Sequence, residues 1–529
     1  MLGLLNGNAF CPCCVYALPA PGRRAAGKSR FGGGFACTGE PLSDVPRVAD
    51  LRIDRATIVD TIDGTLVHDA TILVSHGRIV SIADAAVGGA DPALRRIDAT
   101  GKFVVPGYND MHSHVLNLDD PSGGLALMLA EGVTGFRQMS GSPERLRERR
   151  DGTLAVGEDA PALLEMPGAV LTPLNANSVP RMTAEISAQK AQGADFIKVA
   201  FVSPPVFTAA IAAARREGLR ILGHLQDGVD VAVSARAGFR SIEHLGPGAT
   251  VWVACSTDEA ALQSAAKPVR IPALPLKIPF LRRLIVKRLE RLLINPSAFM
   301  PPAYVAQLQR AMDTFSEDKF SALAALFAAA ETWHCPTLVR LRTQQLADAP
   351  EYESHPYLRY MPQNRIDLWR QVTEKFRKLP ASMRQTYARA YPRQLELMKA
   401  LSDAGVRMIA GTDGGWLSVP GLTLQEEFAE LAKAGIAPLK ILQMATINAA
   451  EYLGRSETMG TVAPGSNADM VLLDANPLTN AANLGAIAGV VRAGVHYTRP
   501  ALDALRDRVA ANRGTLHAGG PMTNRLGFA

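Results

Sequence analysis

The chain has 529 residues, which is more than a single hydrophobic core usually holds. Of these residues 47% are hydrophobic and 20% are charged, the composition of an ordinary globular protein. Its 56 Lys and Arg against 50 Asp and Glu give a mild basic excess that is spread along the chain, which argues against nucleic acid as a partner. No apolar run reaches the ~20 residues of a transmembrane helix, and six cysteines are too few for a disulfide scaffold of this length.

Residues 1–48 are predicted to form a poorly ordered leader. They contain the stretch GRRAAGKSRFGGG, which is typical of a flexible linker. The start, MLGLLNGNAF, lacks the basic residues and the sustained apolar core of a secretory signal, so we expect a cytoplasmic protein. Cys11, Cys13 and Cys14 have only Cys37 nearby. We interpret them as thiols of the leader, since a zinc or redox site would need further partners.

Short β-branched segments at both ends of the chain predict one small β domain. LRIDRATIVDT and ATILVSHGRIVSIAD follow the leader, and GTVAPGSNADMVLLDANP has the same texture near the C-terminus. We therefore expect a composite β-sandwich domain that is built from residues 49–104 and 455–500. Residues 501–529 are predicted to form a C-terminal helix and tail.

Between these segments, strand-like runs alternate with helical ones. Eight strand candidates, from FVVPGYNDMHSH to VRMIAGTD, are separated by helical segments such as FTAAIAAARREG. This alternation is typical of a parallel sheet, and eight units predict an α/β fold whose main domain, residues 105–454, is a closed (β/α)8 TIM barrel. Barrels of this kind carry their active sites at the carboxyl ends of the strands.

Two segments of the predicted barrel, at about 246–331 and 340–400, are too long for simple crossovers and are predicted to be helical insertions. The first contains PFLRRLIVKRLERLLINP, in which leucine and isoleucine occupy one helical face and arginine and lysine the remainder. This helix either lies on a membrane surface or packs over the barrel mouth or a subunit contact, and the second interpretation is the simpler one.

Six residues that can bind metal ions lie at or near the ends of these strands: His112, His114, Lys198, His224, His244 and Asp413. The first two histidines are two positions apart, so on a strand both imidazoles point to the same side and can bind one metal ion. Imidazoles and carboxylates are ligands of zinc and similar divalent metals, and a pair of such ions can hold a hydroxide for hydrolysis. Taken singly, each histidine is more often a buried core residue, and the aspartate could belong to an Asp-Gly turn.

Lys198 ends the apolar run DFIKV, where a surface lysine would be unexpected. A free lysine is cationic, with a pKa of ~10.4, and would repel a metal ion. The neutral amine, which desolvation favours, can add carbon dioxide and bridge two metal ions as a carbamate. The alternative is a lysine at the barrel mouth that binds a substrate anion.

Three further residues carry weaker signals. Arg137, at the end of the second predicted strand, is predicted to bind a substrate carboxylate or another anion. His334 on the seventh strand could face the substrate, although core packing is the favoured interpretation. Asp110 is either a carboxylate that orients a metal ligand or a turn cap.

The first-strand motif has a known counterpart. VVPGYNDMHSH resembles the signature PG-x-x-D-x-H-x-H of the amidohydrolase superfamily, and the similarity continues through SIEHL, GTDGG and GTVAPGSNADMVLLD, over roughly residues 49–500. Within the superfamily, the chain is most similar to the imidazolonepropionase-related and prolidase-like group. The run EHLGPGATVW departs from that group, whose members often carry an aromatic residue just past EHG that contacts the substrate carboxylate.

The resemblance implies a binuclear metal centre, with zinc as the expected metal. It places His112 and His114 on the more buried ion and His224 and His244 on the more exposed ion. Carboxylated Lys198 would bridge the two ions. Asp413 would complete the shell of the first ion and carry the proton of the attacking hydroxide to the leaving amine. The resemblance also implies a homo-oligomer.

These observations predict a metal-dependent amidohydrolase that cleaves the C–N amide bond of a small molecule by attack of a metal-bridging hydroxide. The substrate would be a dipeptide, an N-acyl amino acid or a related amide, so the enzyme would be a hydrolase of C–N bonds other than peptide bonds, or a dipeptidase. One alternative is a single-metal cyclic amidohydrolase or deaminase of the imidazolonepropionase type, against which Lys198 argues. Another is a non-catalytic scaffold with the same fold, against which the presence of all six candidate ligands argues.

Overall fold

The computed structural model describes residues 50–84, 94–118, 120–246, 249–265, 288, 290–292, 294–414 and 419–513. The predicted leader with its cysteine cluster, most of the basic amphipathic helix in the first insertion, and the tail beyond residue 513 lie outside the described residues.

The strands, in chain order, are β1 (Leu51–Val59), β2 (Leu66–Ser75), β3 (Arg78–Asp84), β4 (Arg95–Asp98), β5 (Phe103–Pro106), β6 (Tyr108–Ser113), β7 (Val133–Gln138), β8 (Ala162–Glu165), β9 (Phe196–Val199), β10 (Arg220–Gly223), β11 (Phe239–Glu243), β12 (Trp333–Cys335), β13 (Met470–Leu473), β14 (Ile487–Arg492) and β15 (Val495–Thr498).

The α-helices are α1 (Pro121–Ala130), α2 (Pro143–Arg150), α3 (Val179–Ala191), α4 (Pro204–Arg216), α5 (Val231–Arg236), α6 (Thr250–Ala254), α7 (Glu259–Ala265), α8 (Pro302–Asp313), α9 (Glu317–Ala329), α10 (Leu338–Gln345), α11 (Gln363–Arg377), α12 (Ala381–Asp403), α13 (Leu422–Lys433), α14 (Pro438–Ala445), α15 (Ile447–Leu453) and α16 (Arg499–Ala511). Within the described part of the chain, no helix is both long enough and apolar enough to cross a membrane.

Strands from both ends of the chain share one sheet. Its order is β15-β14-β13-β5-β1-β2-β3, and β4 pairs with β1. The joint between the two ends is the antiparallel pair β13–β5, in which Leu472 lies opposite Val104. Apolar side chains from both ends, including Ile53, Ile72, Val104 and Met470, form one buried cluster on this sheet. The shared sheet agrees with the β-branched segments at both ends of the sequence, while the sandwich arrangement and the exact domain limits stay predictions.

The central part of the chain forms two parallel sheets, β6-β7-β8 and β12-β11-β10-β9. Helices α1 to α5 connect successive strands up to β11, as βαβ units require. β6, β7, β9 and β12 are buried along their whole length, as is usual for strands of parallel sheets that are covered on both faces. The structure therefore shows a mixed α/β fold.

The predicted closed barrel is only partly present as regular structure. Single bridges join Leu171 to Val199 and His334 to Met408, and the Met111 amide donates to the Ala410 carbonyl at 2.9 Å. Residues 406–413 form no continuous strand in the described structure, although the Ile409 amide donates to the His334 carbonyl at 3.0 Å and the Asp413 amide to the His112 carbonyl at 2.8 Å. The two sheets are thus linked by isolated contacts, and a continuous eight-stranded barrel is not seen among the described residues.

Both predicted insertions contain helices. The described part of 246–331 holds α6 to α9, and 340–400 holds most of α10, α11 and most of α12. Leu292, from the first insertion, joins a small buried cluster with Phe201, which follows β9. At Leu292 the first insertion therefore contacts the residues that follow β9.

Candidate metal centre

The six candidate ligands come from five separated strand ends and meet in one buried region. His112 lies on β6, Lys198 lies on β9, His114 follows β6, and His224 and His244 directly follow β10 and β11. Asp413 follows the segment that is bridged to β12. None of the six residues is more than 3% exposed.

The imidazole Nε2 atoms converge on one carboxylate. Nε2 of His112 and Nε2 of His114 each lie 3.4 Å from Asp413 Oδ1, and Nε2 of His244 lies 3.9 Å from Asp413 Oδ2. Lys198 Nζ lies 3.0 Å from His112 Nε2. The ring of His224 lies 5.1 Å from the ring of His244, centroid to centroid. All six residues thus contribute to one cluster.

The Nδ1 atoms of three of these histidines have hydrogen-bond partners on the side away from Asp413. Nδ1 of His112 lies 2.6 Å from Glu243 Oε2, and Nδ1 of His244 lies 2.6 Å from Thr337 Oγ1. Nδ1 of His114 lies 2.8 Å from Ser140 Oγ. Such partners fix the orientation of a metal-binding imidazole and leave Nε2 for the ion.

These three holding residues were not found from the sequence. Ser140 and Thr337 are ordinary residues of strand-end loops, and their spacing from the histidines carries no pattern. Glu243 had a usable signal: it is a carboxylate inside the apolar run SIEHL, directly before His244. A buried acid at such a position requires a partner, because an unpaired buried charge is costly.

Arg137 is placed differently from the prediction. Its side chain is fully buried, donates from Nε to the Met111 carbonyl at 2.6 Å, and pairs through Nη2 with Glu243 Oε1 at 3.1 Å. Its guanidinium also lies 4.8 Å from the centre of the Tyr452 ring. These contacts make Arg137 the counterion of the acid that holds His112, and they favour this structural role over substrate binding, which stays a prediction.

The pKa of the Glu243 carboxyl reflects this pairing. Burial by itself would raise that pKa, but the positive charge of Arg137 and the hydrogen bond with His112 outweigh the burial and hold the pKa below its usual range. The carboxylate therefore stays ionised and can accept a hydrogen bond from the N–H group at His112 Nδ1, which leaves the lone pair of Nε2 for a metal ion.

Asp110 anchors the segment that carries Asp413. Its carboxylate accepts the His112 amide at 3.1 Å and the Thr412 hydroxyl at 2.8 Å. Burial raises the pKa of the Asp110 carboxyl to about 6, although the hydrogen bond from Thr412 acts in the opposite direction. Of the two predicted roles, the structure favours the positioning one, because this side chain ties the Asp413 segment to β6.

The backbone at the cluster is held in an uncommon conformation. His244, Thr337 and Asp413 have positive φ angles of 59°, 46° and 50°. Residues other than glycine adopt this left-handed region at a cost of about 1–3 kcal/mol, and such residues concentrate at functional sites. The strain falls on two candidate ligands and on the residue that holds one of them.

Two neighbouring groups do not extend the site. His112, Glu243 and Cys335 bring three potential ligand atoms together, but the 2.6 Å from His112 Nδ1 to Glu243 Oε2 is a hydrogen bond. The His334 ring packs 4.8 Å from the Phe327 ring, and burial lowers its pKa to about 3. The favoured core-packing interpretation of His334 agrees with this position.

The donor set fits a divalent metal. The ligand atoms of His112, His114 and Asp413 lie within 4.8 Å of one another, and all three residues are buried. Imidazole nitrogen and carboxylate oxygen in such an arrangement are the usual ligands of zinc and related ions.

Comparison with known proteins points in the same direction. The model of the amidohydrolase family matches residues 387–497. The N-acyl-D-glutamate deacylase of Alcaligenes xylosoxydans xylosoxydans is 32% identical over 123 residues, which cover 22% of this chain and 24% of the deacylase. The matched region thus spans about a quarter of that relative's length.

Solved structures share the fold over most of the chain. Bottromycin amidohydrolase has a TM-score of 0.63 at 22% identity, covering 89% of this chain and 92% of its own. A Xaa-Pro dipeptidase with bound methionine has a TM-score of 0.56 at 16% identity, covering 85% and 99%. Identities of this size show a common fold. With the family match, they confirm the predicted resemblance to the amidohydrolase superfamily.

Proposed function

We propose that this relative of the amidohydrolase superfamily is a metal-dependent hydrolase of a C–N amide bond. One observation carries the proposal: three imidazole Nε2 atoms lie within 4 Å of the Asp413 carboxylate while each Nδ1 is held by its own partner. The strand-end location of all the ligands supports a (β/α)8 barrel as the parent architecture, with its active site at the carboxyl ends.

His112, His114 and Asp413 would hold one ion, and His224 and His244 would hold a second. Lys198, carboxylated on Nζ, would bridge the two ions; its burial and the 3.0 Å from Nζ to His112 Nε2 support this role. When bound, the metal would acidify a water molecule and polarise the scissile carbonyl. Zinc suits this donor set, and other divalent first-row metals fit it too.

The chain's own residues supply positioning and proton transfer. Glu243, Ser140 and Thr337 keep the three imidazoles facing the centre, so that little reorganisation is needed during the reaction. Asp413 accepts the proton of the attacking water and returns it to the leaving amine nitrogen. The contacts of Asp110 keep Asp413 in place for both steps.

The direct test is hydrolysis by the metal-loaded chain and its Asp413→Asn variant. A panel of dipeptides, N-acyl amino acids and lactams is incubated with zinc-loaded protein, and amine release is measured. We expect Asp413→Asn to lower kcat by about 100-fold or more, the size of a lost general acid–base group. Asp474→Asn is the matched control, because that exposed carboxylate pairs with Lys102 away from the cluster. A wild-type chain that releases no amine from any panel member would refute the proposal.

The state of Lys198 is tested through metal content. Protein purified with and without bicarbonate is analysed for metal per chain, together with Lys198→Ala. We expect about two ions in the wild type, fewer in the variant, and partial recovery of activity when short carboxylic acids replace the carbamate. A fully active Lys198→Ala protein would rule out the bridge. One ion per chain in every sample would favour the single-metal alternative instead.

A further inference from the structure

Arg340 brings a positive charge to the candidate metal centre. It lies in the first turn of α10, a few residues after β12, and is only 5% exposed. Its Nε lies 3.6 Å from Asp413 Oδ2, which is too long for a good hydrogen bond but close enough for a substantial charge–charge attraction. A buried cation beside the proposed proton-transfer group can contact whatever molecule binds there.

Apolar side chains lie next to His224. Phe201 follows β9, and its ring makes an edge-on contact with the His224 ring at 5.4 Å between centroids. It packs in one buried cluster with Ala169, Val170, Ala200 and Leu292. The residues that follow β8 and β9 thus present an apolar wall next to the metal ligands, opposite in character to Arg340.

One short segment of the first insertion contacts both Arg340 and the apolar cluster around Phe201. The carbonyl of Ile294 accepts a hydrogen bond from Arg340 Nη1 at 3.2 Å, while Leu292, two residues earlier, packs in the Phe201 cluster. The cation and the apolar wall are therefore covered by the same piece of chain. A molecule bound between them would be shielded from water, which strengthens its contact with the guanidinium.

We propose that Arg340 binds the carboxylate of the substrate, which makes the substrates N-acyl amino acids or dipeptides with an apolar side chain and a free carboxylate next to the scissile nitrogen. In such molecules the carboxylate carbon lies two bonds from the amide nitrogen, about 2.5 Å away. A carboxylate bound to Arg340 therefore places that nitrogen within reach of Asp413. The planar guanidinium suits a carboxylate because it offers parallel N–H donors. The proposal rests on the amidohydrolase function and narrows its substrate class.

The test compares binding of an acid with that of its neutral analogue. N-acetyl-L-leucine and N-acetyl-L-leucinamide are titrated into the full chain by calorimetry, without added metal and after zinc loading. We expect the acid to bind at least about tenfold more tightly, the effect of one charged hydrogen bond. In Arg340→Met this preference disappears. In Arg342→Met it persists, because Arg342, on the same helix, pairs with Glu351 and Glu430.

Equal binding of the two ligands to the wild type, no binding of the acid, or an unchanged preference in Arg340→Met would overturn the proposal. If Arg340→Met does not fold, the wild-type comparison and Arg340→Lys decide, since the lysine keeps the charge but not the fork and should retain only part of the preference. The two proposals fail separately. Arg340-dependent binding of the acid without amide cleavage would refute only the hydrolase function, whereas cleavage without a preference for acids would refute only the role of Arg340.

Discussion

Glu243 shows how a single side chain controls the candidate centre. It joins Arg137, from β7, to His112, from β6, and is itself the last residue of β11. The acid therefore couples three strands and the orientation of one ligand. The sequence pointed to His112 but not to the acid behind it, and it assigned Arg137 to the substrate. The pairing joins residues 106 positions apart, and local pattern carries no information on such a contact.

We predict that the substitution Arg137→Met destabilises the fold and leaves substrate affinity unchanged. The substitution leaves the buried Glu243 carboxylate without its arginine, and breaking one side of a buried ion pair costs about 3–5 kcal/mol. The free energy of unfolding, from urea titration with circular dichroism, measures the loss. Arg240→Met serves as the control, because Arg240 pairs with the exposed Glu331. A variant with wild-type stability and a raised KM would restore the substrate-binding role.

Element boundaries follow local chemistry only in part. The strand-like run ALLEMPGAVL forms a strand only in its first part, since β8 ends at Glu165, just before the Pro167-Gly168 pair. The last predicted strand of the barrel, VRMIAGTD, is reduced to a single bridge at Met408, and an added Cβ at Gly411 would lie 2.7 Å from His112 Cβ. That glycine lets the Asp413 segment approach His112 closely. Such close approach is a tertiary requirement, which the strand-like sequence VRMIAGTD does not reveal.

The start of α10 depends on a buried acid from another helix. Glu427, on α13, accepts the amides of Leu338 and Val339 at 2.9 and 2.8 Å. These amides open the helix that carries Arg340 and follows Thr337, so Glu427 positions two residues of the candidate centre. Burial raises the pKa of the Glu427 carboxyl to about 8, because the two backbone hydrogen bonds, which lower the pKa, offset only part of the effect of burial.

This raised pKa predicts a pH effect on stability. The folded state favours the protonated carboxyl, so its contribution to stability is fully present below the ordinary pKa of 4.5 and is lost as the pH rises through about 8. We expect the free energy of unfolding to fall between pH 5 and pH 8, and to fall less in Glu427→Gln, whose side chain does not ionise. Urea titrations across this range measure the slope. The exposed Glu317→Gln is expected to behave like the wild type, and an identical slope in Glu427→Gln would contradict the prediction.

The whole molecule is held together by strands that are distant in the chain. β13 lies between β5 and β14, so the C-terminal segment completes a sheet that the N-terminal segment begins. α16 adds a second link, because Arg506 pairs with Glu131, just after α1, at 2.7 Å. The first contact ties the C-terminal region to β5, which leads into β6 and His112, and the second ties it to the turn between α1 and β7.

We therefore predict that a chain truncated after residue 454 does not fold into a metal-binding protein. The truncation removes β13 and leaves β5 as an open edge with Val104 and Val105 uncovered, which favours aggregation. Size-exclusion chromatography and metal content measure the effect. A chain truncated after residue 513 keeps all of the described C-terminal strands and should match the full-length protein. A monodisperse, zinc-binding product from the shorter chain would disprove this dependence.

Sequence alone was sufficient to identify the six candidate ligands, the α/β class and the contribution of both chain ends to one β region. These features follow from local patterns: two histidines that lie two positions apart, apolar runs that end in polar residues, and segments rich in β-branched residues. Three features emerged only from the folded chain, namely the acid behind His112, the internal pairing of Arg137 and the position of Arg340 beside Asp413. Each of these depends on contacts between residues far apart in the chain, and burial and charge neutralisation at such contacts are set by the packing of whole elements.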